Sequence, residues 1–319
     1  MKKILLSLAV ATIALPSITA QAQKVGLLSN VTRLTNDTDK YENPRWSPDG
    51  TKIAFTKEGY DCLFVMNANG SNKTTLITSS GVGYMYQWSA DGNEILVRDT
   101  RWSQESEGIK RHHAAWAVNS STGTTTRMSQ DSEYMQPAAW RYTGGAKTIV
   151  APDTKIMKAN LTPLNKTMAK SLSNNTIANT SFITDFEHLY IVDATGNKRV
   201  LNEGPSFCPA LSPDGKKVIF NQMDDICIIN VDGTGKRALG RGFNASWLNN
   251  NQIIFEKTED DGHVYTAGEL YIMNINGSNL KALTSTSNLI EMNANVSPDG
   301  NKVIFTSFTD GQIYIADLK

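Results

Sequence analysis

Apolar and polar positions alternate along most of the chain in short runs of four to seven residues that are closed by turn residues. Lys52-Ile53-Ala54-Phe55, Lys217-Val218-Ile219-Phe220 and Lys302-Val303-Ile304-Phe305 each follow a Ser-Pro-Asp-Gly tetrapeptide, at Ser47, Ser212 and Ser297. Proline presets the first central turn position, aspartate bonds back to its own backbone, and glycine takes the positive φ with which the chain re-enters a strand. Each copy therefore reads as a β-hairpin preceded by one large residue, Trp46, Leu211 or Val296. Looser copies begin at Trp88, Trp140 and Trp247. No run of helical length keeps a 3.6-residue apolar period, so long helices are not expected.

A second hairpin follows the first. Leu63 to Ile77 turns at Asn69-Gly70, Ile226 onward at Asp232-Gly233, and Leu270 onward at Asn276-Gly277. Two hairpins in series make a four-stranded antiparallel blade, and blades repeated around an axis make an all-β propeller. The last copy stops at Gln312–Leu318 without a fourth strand. Val31-Thr32-Arg33-Leu34-Thr35 stands unpaired ahead of the first copy and resembles Leu280 to Thr284. The N-terminal segment is thus expected to pair with the last blade, closing the ring and hiding two sheet edges. Counting second hairpins, with candidates at Ile156 to Leu172 and Leu189 to Leu201, gives seven blades, with Asn174 to Thr184 as a degraded first hairpin. Counting clear first hairpins gives six, the alternative.

The start of the chain differs from the rest. Lys2 and Lys3 precede an apolar run from Ile4 to Leu15, and Ala20-Gln21-Ala22 is suited to a signal peptidase. The expected organisation is a secretory signal over residues 1–22, a lead-in over 23–30 and one propeller domain over 31–319, periplasmic or secreted, with no transmembrane segment in the mature chain. The composition is that of an ordinary folded protein, and 31 basic residues balance 31 acidic ones, which gives no footprint for nucleic acid. Cys62, Cys208 and Cys227 do not make a disulfide framework; they read as inert thiols, with one bridge as the alternative.

The Trp-Ser-Pro-Asp-Gly and Lys-Ile-Ala-Phe pattern resembles the WD40-like (PD40) β-propeller repeat of TolB-type proteins, over most of residues 31–319. The resemblance implies the fold. It leaves the role open, because similar propellers serve as protein-binding modules of the Tol system, as domains attached to peptidases, and as the body of oligogalacturonate lyases. The sequence contains no Gly-x-Ser-x-Gly elbow of a hydrolase. The lyases use clustered histidines near the C-terminal part, where this chain has only His263.

The propeller plan assigns the uncommon residues to faces. The connections Asp99 to Arg111 and Glu256 to Gly268 read as long loops on one face, with His112, His113, His188 and His263 on that same face. Three of these, His112, His188 and His263, are the candidate ligands should the protein use a divalent metal such as Mn, Zn or Ca; otherwise no cofactor is expected. Arg98, Arg101 and Arg111 suit carboxylates, and Trp102 suits a sugar or an apolar partner. Trp46, Trp88, Trp140, Leu211, Trp247 and Val296 recur at one repeat position and read as packing residues. The sequence therefore favours a non-catalytic module that binds an envelope protein or glycan. A polysaccharide lyase of the oligogalacturonate type is the alternative.

Overall fold

The structure, a computed structural model, describes residues 27–143, 145–151, 155–169, 181–185, 187–193 and 197–319. The expected secretory signal over residues 1–22 and residues 23–26 lie outside them. Among the described residues no helix is long and apolar enough to cross a membrane.

The first turn of the repeat forms through its side chains. The Ser47 hydroxyl donates to Asp49 Oδ1 (2.6 Å) and accepts the Lys52 N–H (2.9 Å), while Asp49 Oδ1 accepts the Thr51 N–H (3.0 Å). Gly50 supplies a φ of 69°. The arrangement repeats at Ser212 and Ser297, where the hydroxyls help to hold the carboxyls of Asp214 and Asp299 below the usual carboxylate range. These aspartates are occupied in making turns.

Five sheets have four antiparallel strands. They span residues 41–77, 87–127, 207–241 and 243–282, and the fifth joins Glu291–Val296, Lys302–Ser307 and Gln312–Leu318 to the N-terminal strand Leu28–Arg33. That last pairing closes the ring in the expected place. Thr32 lies opposite Ile315 and Arg33 opposite Tyr314, and the Leu34 N–H donates to the Ile313 carbonyl (2.7 Å). The strand begins at Leu28, ahead of Val31.

Between residues 127 and 207 the pattern is less complete. A two-stranded hairpin, Ala139–Thr143 with Ala146–Val150, precedes a three-stranded sheet of Ser181–Thr184, His188–Val192 and Lys198–Glu203. Among the described residues first hairpins therefore number six, opening at Tyr41, Gln87, Ala139, Phe207, Phe243 and Glu291. This is a six-bladed plan rather than the seven that the second hairpins suggested. Ile156 makes only an isolated bridge to Ser129, and residues 166–169 are helical, so no hairpin forms over the described part of 156–172. Residues 174–180 lie outside the described residues, among which Ser181–Thr184 pairs with His188–Val192 alone. The three-stranded sheet packs through Ile183 and Val192 on Ala139 and Val150, and through Leu189 and Leu201 on Val218 and Phe220.

The core lies between sheets. Phe55, Phe220, Phe255 and Phe305, one from each of four second strands, are essentially fully buried. The repeat tryptophans pack there and also make a bond that the sequence did not suggest. Each indole N–H donates to a backbone carbonyl of another sheet: Trp46 to Asn295 (3.2 Å), Trp88 to Arg45 (3.3 Å), Trp140 to Gln87 (3.1 Å) and Trp247 to Ala210 (3.0 Å). One inter-sheet contact is ionic. The fully buried Lys147 ammonium lies 2.6 Å from Asp91 and also pairs with Glu94. The three cysteines are free thiols, and Cys62 and Cys227 are not bridged.

Candidate functional site

At one end of the ring four of the first strands bend in the same way. Pairing slips between Glu42 and Arg45, Phe207 and Ala210, Phe243 and Ser246, and Met292 and Asn295. Each slip holds one non-glycine residue at positive φ: Asn43 (52°), Cys208 (50°), Asn244 (50°) and Asn293 (55°). Met85 (53°) has the same relation to Trp88. Asparagine tolerates this conformation better than most residues, whereas Met85 and Cys208 hold it at a cost of about 1 kcal/mol or more. Bulges of this kind re-aim side chains. Here Asn43, Cys208, Asn244 and Asn293 are turned into one cavity of about 580 Å³.

A hydrogen-bonded chain links the four. The Cys208 thiol donates to Asn244 Oδ1 (3.7 Å), and Asn244 Nδ2 donates to Glu256 Oε1 (2.7 Å). The Asn293 N–H donates to Glu256 Oε2, and the Asn43 N–H donates to Asn293 Oδ1 (3.4 Å). Glu256 is buried. That burial pushes its carboxyl up to about 7, against the opposing effects of the Asn293 amide, the Asn244 carboxamide and the Arg45 charge.

The rim is apolar. Tyr60, Phe207, Met223, Tyr265 and Phe308 are all exposed, Met223 by 78%, and all five line this cavity. Tyr265 and Phe308 meet edge to face with ring centres 5.3 Å apart. Lys40, Glu58, Asp224, Arg241 and Asp260 add charges of both signs. A second cavity of about 390 Å³ shares Cys208 and Asn244 with the first and is lined by Arg45, Tyr86, Trp88 and Trp140. The Arg45 guanidinium makes no hydrogen bond or ion pair among the described residues. Tyr86, by contrast, is engaged: its single O–H is shared between the carbonyls of Asn43 (2.6 Å) and Ala54 (2.8 Å).

None of the eight ligand candidates from the sequence lines these cavities. The expected loop from Asp99 to Arg111 is instead the body of a hairpin, Glu94–Glu105 with Gly108–Asn119, paired out to its tip. Trp102 lies opposite Arg111, whose guanidinium sits 5.9 Å from the indole centre. Arg98 donates to the Met135 carbonyl (3.0 Å), and Arg101 pairs with Asp99 (3.1 Å) and Asp131. His112 Nε2 lies 2.8 Å from the Ser103 hydroxyl and 2.9 Å from Glu105. His113 is buried, with Nδ1 3.0 Å from the Thr100 hydroxyl; burial, then the charges of Arg98 and Arg111, bring it down to about 4. His188 lies between Asp185 (3.3 Å) and Glu203 (3.1 Å). His263 is exposed at the tip of a second long hairpin, Gln252–Asp260 with Tyr265–Asn274, where a loop from Glu256 to Gly268 was expected. The four histidines thus lie in three separate sheets. Among the described residues no three His, Cys, Asp or Glu side chains gather as a metal site.

The sequence did carry a signal for the cavity. Asn43, Met85, Cys208, Asn244 and Asn293 each stand three residues before the large residue of the repeat, and three of the five are asparagine.

No protein-family model and no curated protein matches the chain. Solved structures do. A putative TolB from Agrobacterium tumefaciens is 16% identical with a TM-score of 0.54, over 91% of this chain and 97% of that one. The Cps50 (Swd1) β-propeller domain from Myceliophteria thermophila is 12% identical with a TM-score of 0.55, over 92% and 99%. The tricorn protease is 16% identical with a TM-score of 0.52, over 88% of this chain and 25% of that one. At these identities the likeness is one of fold, a β-propeller.

Proposed function

We propose that the protein is a non-catalytic binding module that takes a segment of an envelope protein into the cavity framed by Asn43, Cys208, Asn244 and Asn293. The observation that carries this reading is the convergence of Tyr60, Phe207, Met223, Tyr265 and Phe308 on one cavity. Soluble proteins seldom gather exposed aromatic and Met side chains without a partner to cover them. Behind this rim, the carboxamides of Asn43, Asn244 and Asn293 offer donors and acceptors suited to a peptide backbone, and the unpaired Arg45 offers a partner for an acidic group. The leader over residues 1–22 would place this activity in the periplasm or outside the cell. A rim of Met and Phe suits a protein better than a glycan. The lyase reading has no comparable support, since its candidate histidines lie apart and outside the cavity.

The test is capture from envelope extracts by the immobilised mature chain, compared with the double variant Tyr265→Ser, Phe308→Ser. The expected result is a discrete protein partner retained by the wild type and lost with the variant. Equal retention by both would place binding elsewhere, and retention of polysaccharide alone would replace the protein partner with a glycan.

A further inference from the structure

Four buried side-chain oxygens near the junction of the 243–282 sheet and the closing sheet have no hydrogen-bond partner: Glu269 Oε2, Glu291 Oε2, Ser307 Oγ and Gln312 Oε1. Strand register explains how three of them come together. Glu291 lies opposite Ser307, and Ser307 lies opposite Gln312, so the three side chains form one row on one face of the closing sheet. The same face packs Val303, Phe305 and Ala316 against Ile254 and Leu270 of the neighbouring sheet. Ser307, in the middle, is short enough to leave room between the two longer side chains. Glu269 joins from the neighbouring sheet through Thr286, whose N–H donates to Glu269 Oε1 (3.1 Å) and whose hydroxyl donates to Glu291 Oε1 (2.8 Å).

The remaining contacts fix what these oxygens offer. Gln312 Nε2 donates to the carbonyls of Asp37 (3.2 Å), Asp39 (2.8 Å) and Asp310 (3.3 Å), which leaves Oε1 as the unused acceptor. Glu291, Ser307 and Gln312 are at most 1% exposed. Neither Glu269 nor Glu291 pairs with a basic side chain among the described residues. Burial pushes the Glu291 carboxyl up to about 7; the Thr286 hydroxyl opposes this rise and the Glu269 charge adds to it. Three of the four orphan atoms are acceptors only, and two belong to carboxylates whose charge a water molecule would not neutralise.

We propose that Glu269, Glu291, Ser307 and Gln312 bind one divalent cation of the Ca²⁺ class. Carboxylate, hydroxyl and amide oxygens in an irregular set suit Ca²⁺, whereas Mg²⁺ keeps its waters and demands octahedral geometry. The set contains no nitrogen or sulfur donor of the kind that favours Zn²⁺ or Cu²⁺. The ion would tie the closing sheet to its neighbour at the place where the ring joins. The ion would bind whether or not a partner occupies the cavity around Asn43, Cys208, Asn244 and Asn293.

The experiment is thermal unfolding of the full mature chain, stripped with chelator and titrated with CaCl₂ to about 10 mM, above the Kd of about 10⁻³ M of the weakest extracellular calcium modules. The expected result is a saturable rise in Tm that MgCl₂ at the same concentration does not reproduce. Calorimetric titration should give one Ca²⁺ per chain. The double variant Glu269→Gln, Glu291→Gln should lose the response while being no less stable than the calcium-free wild type. A wild-type chain that neither shifts nor binds Ca²⁺ overturns the proposal, as does a full response in the variant. If the double variant does not fold, the wild-type stoichiometry decides, and a value of zero rejects the site.

Discussion

Glu256 offers a perturbation whose size and sign both follow from its burial at the cavity, between Asn244 and Asn293. Its carboxyl rises from 4.5 to about 7, chiefly through burial. A raised carboxylate pKa means that the folded chain keeps a proton that the unfolded chain has released. Stability should therefore be unaffected by this group below pH 4.5, fall as pH rises from 4.5 to 7, and level off above that. At about 1.4 kcal/mol per unit, the full loss is on the order of 3 kcal/mol. Glu256→Gln removes the titration but accepts a hydrogen bond from only one of its two donors, Asn244 Nδ2 and the Asn293 N–H, at a cost of about 1 kcal/mol. The variant should be about 1 kcal/mol less stable than wild type at pH 4, close to equal at pH 5 and about 2 kcal/mol more stable at pH 8. Urea unfolding of both proteins across this range measures the difference, in which the other titrating groups cancel. Curves that stay parallel from pH 5 to pH 8 would refute the reasoning and mean that Glu256 is ionised throughout.

Three further predictions concern the scaffold. Lys147→Met should destabilise by about 3–5 kcal/mol in denaturant melts, because Asp91 and Glu94 lose their buried counter-charge, and adding Asp91→Asn and Glu94→Gln should recover much of that loss. Trp247→Phe keeps most of the apolar area but leaves the Ala210 carbonyl without its indole partner, and should lower unfolding free energy by about 1–2 kcal/mol. Phe305→Ala, at a fully buried site between sheets, should cost about 3–5 kcal/mol by the same measurement.

The hairpins were legible because their chemistry is local: Ser47, Asp49 and Gly50 build a turn from neighbours within a few residues, and the same letters recur at Ser212 and Ser297. Ring closure was also readable, since an unpaired strand at one end and a missing strand at the other imply each other. Partners in another repeat were not readable. Nothing around Trp88 announces that its N–H meets the Arg45 carbonyl, and nothing around Lys147 announces Asp91 and Glu94. The two long hairpins looked like loops because the alternation of apolar and polar residues fades where the strands extend past the blades, as at Arg101 to Glu105. The histidines on those hairpins drew attention by their chemistry, but the cavity formed elsewhere, around asparagines that the repeat had carried in view. The blade count depended on which hairpin was counted, and first hairpins number six among the described residues.

The account rests on binding at the cavity rimmed by Met223 and Phe308, and site-specific photocrosslinking in the living cell tests it most directly. A photoreactive residue at Met223 or Phe308 should give a defined adduct, while one at Asn69, Asp232 or Asn276, in the second-hairpin turns at the opposite ends of the strands, should give none. Adducts from those turns alone would move the binding surface to the other face of the ring and contradict the account.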